Sequence, residues 1–249
     1  MTIALSFGTV EPMSKRQRKY ACGYCGEVAP ATDDHIPPRS FFSANASLAL
    51  RTVKACESCN SGSSDADEYF RDIVVQFAPV SVNPKAQPQV EKLRRALVKP
   101  QKRAYAERTM NAIEEHDVVT PGGIHLGKHP FVKVDADLLQ RATQRYVRGL
   151  FRYEFGKRVP DDYIVSVATN PDDVESQREK VGKLVGAGIV TTIEKGVFWY
   201  SFTIAKDNPD VSAWALVFYD AMPVLGVVGP SSRADGLTKR LKLSPRAGA

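Results

Sequence analysis

The sequence predicts an α+β fold, made of a small cysteine-bearing N-terminal unit, a helical linker and a small antiparallel-sheet α+β domain. Three observations predict it. All four cysteines stand in two Cys-x-x-Cys pairs, Cys22/Cys25 and Cys56/Cys59. Apolar residues recur at helical spacing over 58–77 and again over 137–153. From residue 164 onward, short runs rich in β-branched and aromatic residues alternate with turn signals.

Composition excludes several classes. With 43% hydrophobic and 25% charged residues, the chain is neither wholesale disordered nor a fibrous repeat. A formal charge of +6 and a pI near 9.1 favour a polyanionic partner. No apolar run approaches the roughly 18 residues that cross a bilayer. The opening residues also lack the basic and apolar regions of a secretory signal, so a cytoplasmic protein without a membrane partner is expected. The expected organisation is a basic arm over 1–19, the zinc unit over 20–80, a basic helical and loop linker over 81–135, an α+β accessory domain over 136–230 and a basic tail over 231–249.

Each Cys-x-x-Cys knuckle places two thiolates within reach of one tetrahedral ion, and two knuckles close a structural zinc site. Redox chemistry needs only one such pair, and disulfides are disfavoured in a reducing cytosol. A metal is therefore the preferred reading for Cys22, Cys25, Cys56 and Cys59. Such a cage is scaffolding, and its importance lies in fixing what stands between and beside the knuckles.

Between them runs Asp33-Asp34-His35-Ile36-Pro37-Pro38-Arg39, and Asn60 follows Cys59 directly. Phosphodiester hydrolysis requires a base to activate water, a Lewis acid to neutralise charge, and an orienting group. Asp34, His35 and Asn60 supply those residue types: an imidazole to accept a proton, and carboxylate and carboxamide oxygens suited to Mg²⁺ or Mn²⁺. The periodicity of Tyr69, Ile73, Val74 and Phe77 predicts a helix from about Ser58 to Phe77, with Asn60 in its first turn. Arg39 could contact a scissile phosphate or serve as an ordinary exposed arginine.

The order Cys-x-x-Cys, Asp-His-Ile-x-Pro, Cys-x-x-Cys-Asn, over about residues 20–75, resembles the HNH endonuclease family, also called His-Me finger nucleases. The resemblance implies a ββα-metal finger on a treble-clef zinc site. It also implies His35 as general base, Asp34 and Asn60 as ligands of a catalytic Mg²⁺ or Mn²⁺, and nucleic acid, DNA before RNA, as substrate. One departure stands out. The family's middle asparagine would fall within Leu48–Thr52, where none occurs; Asn45 or Thr52 would have to replace it. This departure supports a second reading, a catalytically degenerate treble-clef module that binds nucleic acid or protein without cleavage.

The expected nucleic-acid surface is the basic stretch Lys92, Arg94, Arg95, Lys99, Lys102 and Arg103, with further charge in Lys15–Lys19 and in Lys239, Arg240, Lys242 and Arg246. Arg141, Arg145, Arg148 and Arg152 form a stripe beside the apolar face of Leu139, Ala142, Tyr146, Leu150 and Tyr153. That stripe suits either a phosphate backbone or carboxylates across an interface. His116, His125 and His129 fall in a Gly- and Pro-interrupted stretch that reads as a surface loop. Asn170-Pro171-Asp172-Asp173 opens a helix ending near Gly186. Strands are expected at 164–168, 189–193, 197–204, 214–219 and 224–228, forming a sheet packed by two helices. Target choice, homodimerisation or partner binding are the roles open to this half.

Overall fold

A computed structural model of the chain describes residues 18–43, 49–120, 122–168 and 174–231. Strands β1 (Lys19–Ala21), β2 (Val28–Ile36) and β3 (Arg51–Cys56) form an antiparallel three-stranded sheet in that order. Helix α1 (Glu57–Ser61) follows at once, then α2 (Ser64–Gln76). The sequence predicts one helix over about 58–77, whereas the structure breaks it at Gly62, where a Cβ would lie 2.4 Å from the Ser58 carbonyl oxygen. Only glycine fits so close to the preceding turn.

The basic segment forms helices α3 (Ala78–Ser81), α4 (Gln87–Leu97) and α5 (Arg103–Asn111), with a 3-10 turn at Pro100–Lys102. Strands β4 (Ile113–Val119) and β5 (His125–Val132) then pair as an exposed hairpin, where the sequence suggests a loop. Gly123, at φ 84°, supplies the left-handed turn residue between them.

Helix α6 (Ala136–Phe155) packs against α2, β2, β3, β6 and β10. Its N-cap is Asp135, whose carboxylate accepts from the Leu138 amide at 3.1 Å, and Gly156 at φ 68° ends it. Strands β6 (Tyr163–Ala168), β7 (Ile189–Glu194), β8 (Phe198–Ala205), β9 (Asn208–Phe218) and β10 (Met222–Pro230) make an antiparallel sheet of order β6-β10-β9-β8-β7. Period-two alternation gives the sheet two apolar faces. Trp214, Leu216 and Phe218 of β9 join the main core with α6, while Ala215 and Val217 pack with Val181 of α7 (Val174–Ala187). The helix start anticipated at Asn170 lies outside the described residues.

One core is continuous from the N-terminal sheet to this last sheet. It contains Ile36, Phe41, Phe70, Tyr146 and Phe218, with Phe70 touching both Tyr146 and Phe218 at ring-centroid distances of 5.5 and 5.1 Å. Of the apolar face expected on α6, Leu139, Ala142, Tyr146 and Leu150 are buried, whereas Tyr153 is 42% exposed beneath the Arg51 guanidinium. No helix among the described residues is long and apolar enough to cross a membrane.

Candidate metal centre and adjoining cavity

The first knuckle occupies the turn between β1 and β2, and the second spans the junction of β3 with α1. The β2–β3 register pairs Ala31 with Cys56, which brings the two knuckles together. The four sulfurs lie within 4.8 Å of one another, and Cys25 and Cys56 are 3.8 Å apart. Tetrahedral coordination with Zn–S bonds of about 2.3 Å needs sulfurs roughly 3.8 Å apart, so the cluster has the dimensions of a structural zinc site.

Backbone amides complete the cage. The amides of Tyr24 and Cys56 both donate to the Cys22 sulfur at 3.4 Å. Burial pushes the Cys22 thiol up, but these and other backbone donors outweigh it and bring its pKa down to about 6. The Cys56 thiol is lowered too, first by the Ser58 hydroxyl, whereas Cys25 and Cys59 are raised, Cys59 by burial and then by its cysteine neighbours. A thiolate is the form that binds metal, and it is favoured at Cys22 and Cys56.

Beside this cluster is a polar cavity of about 300 Å³. Asp34 and His35 reach it from β2, Arg39 from the following 3-10 turn, Asn60 from α1, and Asp67 and Arg71 from α2. Strand β2 pairs with β1 only at Val28–Pro30, which leaves the Asp34–Ile36 end with one free edge among the described residues. Asp34, His35, Arg39 and Asn60, brought from three separate elements, thus line one cavity. His35 stands directly opposite Thr52 in the β2–β3 register, but the Thr52 hydroxyl donates back to the Leu50 carbonyl at 3.3 Å. Asn45 lies outside the described residues.

Arg145 reaches this centre from α6, and no expectation placed it there. Its Nη2 donates to Asp34 Oδ2 at 2.7 Å and touches the Asn60 carboxamide oxygen at 3.4 Å, while its Nη1 donates to Asp67 at 2.8 Å. Its guanidinium carbon lies 5.1 Å from the centroid of the Tyr24 ring, and the Tyr24 hydroxyl donates to the same Asp34 oxygen. Arg145 is only 8% exposed. Burial pulls its pKa down, but the facing Tyr24, Asp34 and Asp67 outweigh burial and raise it.

The two acids differ in what these contacts leave over. Asp34 Oδ2 accepts both donors, whereas Oδ1 has no hydrogen bond among the described residues. Asp67 is the less comfortable acid: burial pushes its pKa up to about 6 despite Arg145 and the nearby Tyr146 hydroxyl, and its Oδ1 is buried without a hydrogen bond of good geometry among the described residues. Asn60 is oriented from its other side, since its Nδ2 donates to Thr32 at 2.7 Å.

Arg71 and Arg39 bring further positive charge to the cavity. Arg71 is buried and forks onto Asp72 Oδ1 at 2.6 and 2.9 Å; nothing in the sequence singles it out beyond its helical register with Asp67. Arg39 makes no ion pair among the described residues.

The expected nucleic-acid stretch lies on α4, the 3-10 turn and α5, outside this cavity. Arg94 pairs with Glu91 and Arg103 with Glu107, each at 2.8 Å along its own helix. Lys102 pairs at 2.7 Å with Glu68, which lines the cavity, while Lys99 and Arg95 are exposed. Lys92 has a lowered pKa, from partial burial first and then from nearby Arg71. His116 faces His129 across the hairpin, and His125 is not grouped with them around any common metal position among the described residues.

No family model, no curated protein and no solved structure matches this chain.

Proposed function

We propose that the chain is an HNH-type endonuclease that hydrolyses phosphodiester bonds of nucleic acid, with a structural zinc in the cysteine cluster and a catalytic divalent cation in the adjoining cavity. The observation that carries this reading is the opening of Asp34, His35, Asn60 and Arg39 onto one cavity beside the four sulfurs. The donor set fits a hard cation. Among the described residues Asp34 Oδ1 has no hydrogen bond, and the Asn60 carboxamide oxygen has only its 3.4 Å contact with Arg145.

Asp34 and Asn60 would hold the Mg²⁺ or Mn²⁺. When bound, that ion supplies Lewis-acid neutralisation of the phosphate and of the leaving oxygen. His35 takes the proton of the attacking water, on the free edge of β2 where solvent reaches it. Arg39, which makes no ion pair among the described residues, holds the non-bridging oxygens of the scissile phosphate, a task for which a planar guanidinium is well matched, while Arg71, committed to Asp72, adds positive charge beside it. The basic surface of α4 and α5 draws the polyanion toward the cavity, DNA before RNA.

Nicking of a supercoiled plasmid by the purified chain with Mn²⁺, alongside a chelator control, tests this directly. Cleavage is expected to require the metal and to fall about a hundredfold to ten-thousandfold in His35→Ala. Undiminished cutting by that variant removes the mechanism.

One observation favours a second reading, a degenerate module that binds without cleaving. The same Arg145 nitrogen touches both Asp34 and Asn60, so the protein already carries a positive charge where their oxygens converge. Metal-independent binding of nucleic acid with no nicking at any Mn²⁺ concentration selects this second reading.

A further inference from the structure

We infer that Arg145 is the positioning residue of the candidate cation centre. Its guanidinium, anchored by Asp67, fixes Asp34 through Oδ2 so that Oδ1 alone is presented to the cavity. This inference rests on the reading of Asp34 and Asn60 as cation ligands.

The contacts around Arg145 are unequal. Its bond to Asp34 at 2.7 Å is a charge-assisted hydrogen bond, whereas the 3.4 Å approach to Asn60 is a marginal one. Asp34 is therefore its partner, and Asn60 is a neighbour oriented chiefly by Thr32. The second arm of the fork is committed to Asp67 at 2.8 Å, so the guanidinium is held from two sides.

Its helix cannot slide to release it. One turn further on, α6 is pressed against β2, since a Cβ at Gly149 would meet Ile36; on the far side Val147 fills the space above Gly226 of β10. A cation built so firmly into the core is poorly suited to swap places with a free ion. It is well suited to set the rotamer of one carboxylate, as groups behind metal ligands commonly do. Tyr24 donates to the same oxygen and closes the remaining freedom of Asp34.

The test is Mn²⁺ binding by the zinc-loaded full chain, read by electron paramagnetic resonance of the free ion, so that no turnover is needed. The wild type is expected to bind one Mn²⁺, and Asp34→Asn to lose it. In a folded Arg145→Gln variant, with unchanged zinc content, affinity is expected to fall about tenfold to a hundredfold. Arg145→Lys, which keeps the charge but not the fork, is expected to recover part of the loss. Because removing a buried cation can unfold the protein, Asp67→Asn provides an independent arm: it keeps Arg145, removes its anchor, and is expected to weaken Mn²⁺ binding. Equal or tighter binding by Arg145→Gln, or by Asp67→Asn should the former not fold, overturns the inference. In that case the guanidinium is a spectator or a resident substitute for the ion. A wild type that binds no Mn²⁺ removes the cation centre itself, a failure distinct from that of Arg145 alone.

Discussion

Gly149 of α6 has no room for a Cβ, which would lie 2.3 Å from Cδ1 of Ile36 and 2.9 Å from the Tyr24 hydroxyl. Ile36 follows His35, and Tyr24 holds Asp34, so this one approach ties the core helix to the strand end that carries the candidate centre. Gly149→Ala opposes two effects. Helix propensity favours alanine by about 1 kcal/mol, whereas overpacking of a filled site costs about 1–3 kcal/mol. The clash is with a buried isoleucine rather than a mobile surface chain, so overpacking is expected to win. A lower midpoint in chemical denaturation, with displaced His35 ring resonances, is the expected result. A variant more stable than the wild type would show that the helix and strand do not meet in this way.

The cysteine cluster makes a separate prediction. Ligand bound only by the folded state stabilises it by about 4 kcal/mol when the free ion is a thousandfold above its dissociation constant. Removing zinc with a strong chelator is therefore expected to lower the melting temperature markedly, and Cys25→Ser to do the same without a chelator. Metal content by elemental analysis should be one zinc per chain and should fall in the variant. The last sheet has its own apolar faces, so far-ultraviolet circular dichroism should retain its strand signal. A chain whose melting is indifferent to chelation would leave the four sulfurs without a structural ion.

Much of this architecture is legible locally. Cys22, Cys25, Cys56 and Cys59 declare themselves through spacing alone, because a thiolate cage needs two close pairs. The strands after residue 164 are legible for a similar reason: β-branched runs bounded by turns report their own state, and the observed strands overlap each expected one. What is not legible is long-range. Arg145 meets Asp67 across 78 positions, and its stripe-mates Arg141, Arg148 and Arg152 look identical in sequence. Periodicity finds a basic face but does not say which of its residues the chain will bury against acids. The break at Gly62 escapes a reading by pattern because the periodic residues, Tyr69, Ile73, Val74 and Phe77, all lie beyond it and leave the helix start unmarked. The β4–β5 hairpin escapes it because its strands are exposed on both faces and so lack an alternating pattern.

Asp67 gives the stability a pH dependence of unusual sign. Burial raises its folded pKa to about 6 from an ordinary 3.8, so between those values the folded state binds more protons than the unfolded one. Its contribution is thus fully favourable below pH 3.8 and is lost as pH rises through about 6, opposite to the usual paired carboxylate. The comparison that isolates it is the wild type against Asp67→Asn in denaturant titrations from about pH 4 to 8. The wild type should lose stability relative to the variant across about pH 4–6. Breaking its pair with Arg145 adds a pH-independent penalty to the variant, so the slope of the difference, not its offset, is diagnostic. A flat difference would mean that Arg145 already holds Asp67 ionised at acid pH.

The unequal pairing of the basic residues on α4 and α5 predicts which of them carry nucleic-acid affinity. Arg94 and Arg103 are engaged by carboxylates one turn away, and Lys102 by Glu68. Lys99, by contrast, is exposed without an ion pair among the described residues, and Arg95 makes only a 3.3 Å bond to the Glu91 carbonyl. An exposed intrahelical pair contributes about 0.5 kcal/mol or less, so such pairing is weak, but each pair still cancels a charge at long range. Arg95→Ala with Lys99→Ala should therefore weaken duplex binding more than Arg94→Ala with Arg103→Ala, although both remove two positive charges. In a plot of log affinity against log salt the first pair should flatten the slope by about 1.8, at roughly 0.9 for each phosphate no longer neutralised. Fluorescence anisotropy over a series of salt concentrations resolves that change. Equal effects from the two double variants would place the phosphate path elsewhere and leave α4 and α5 as a solvated face.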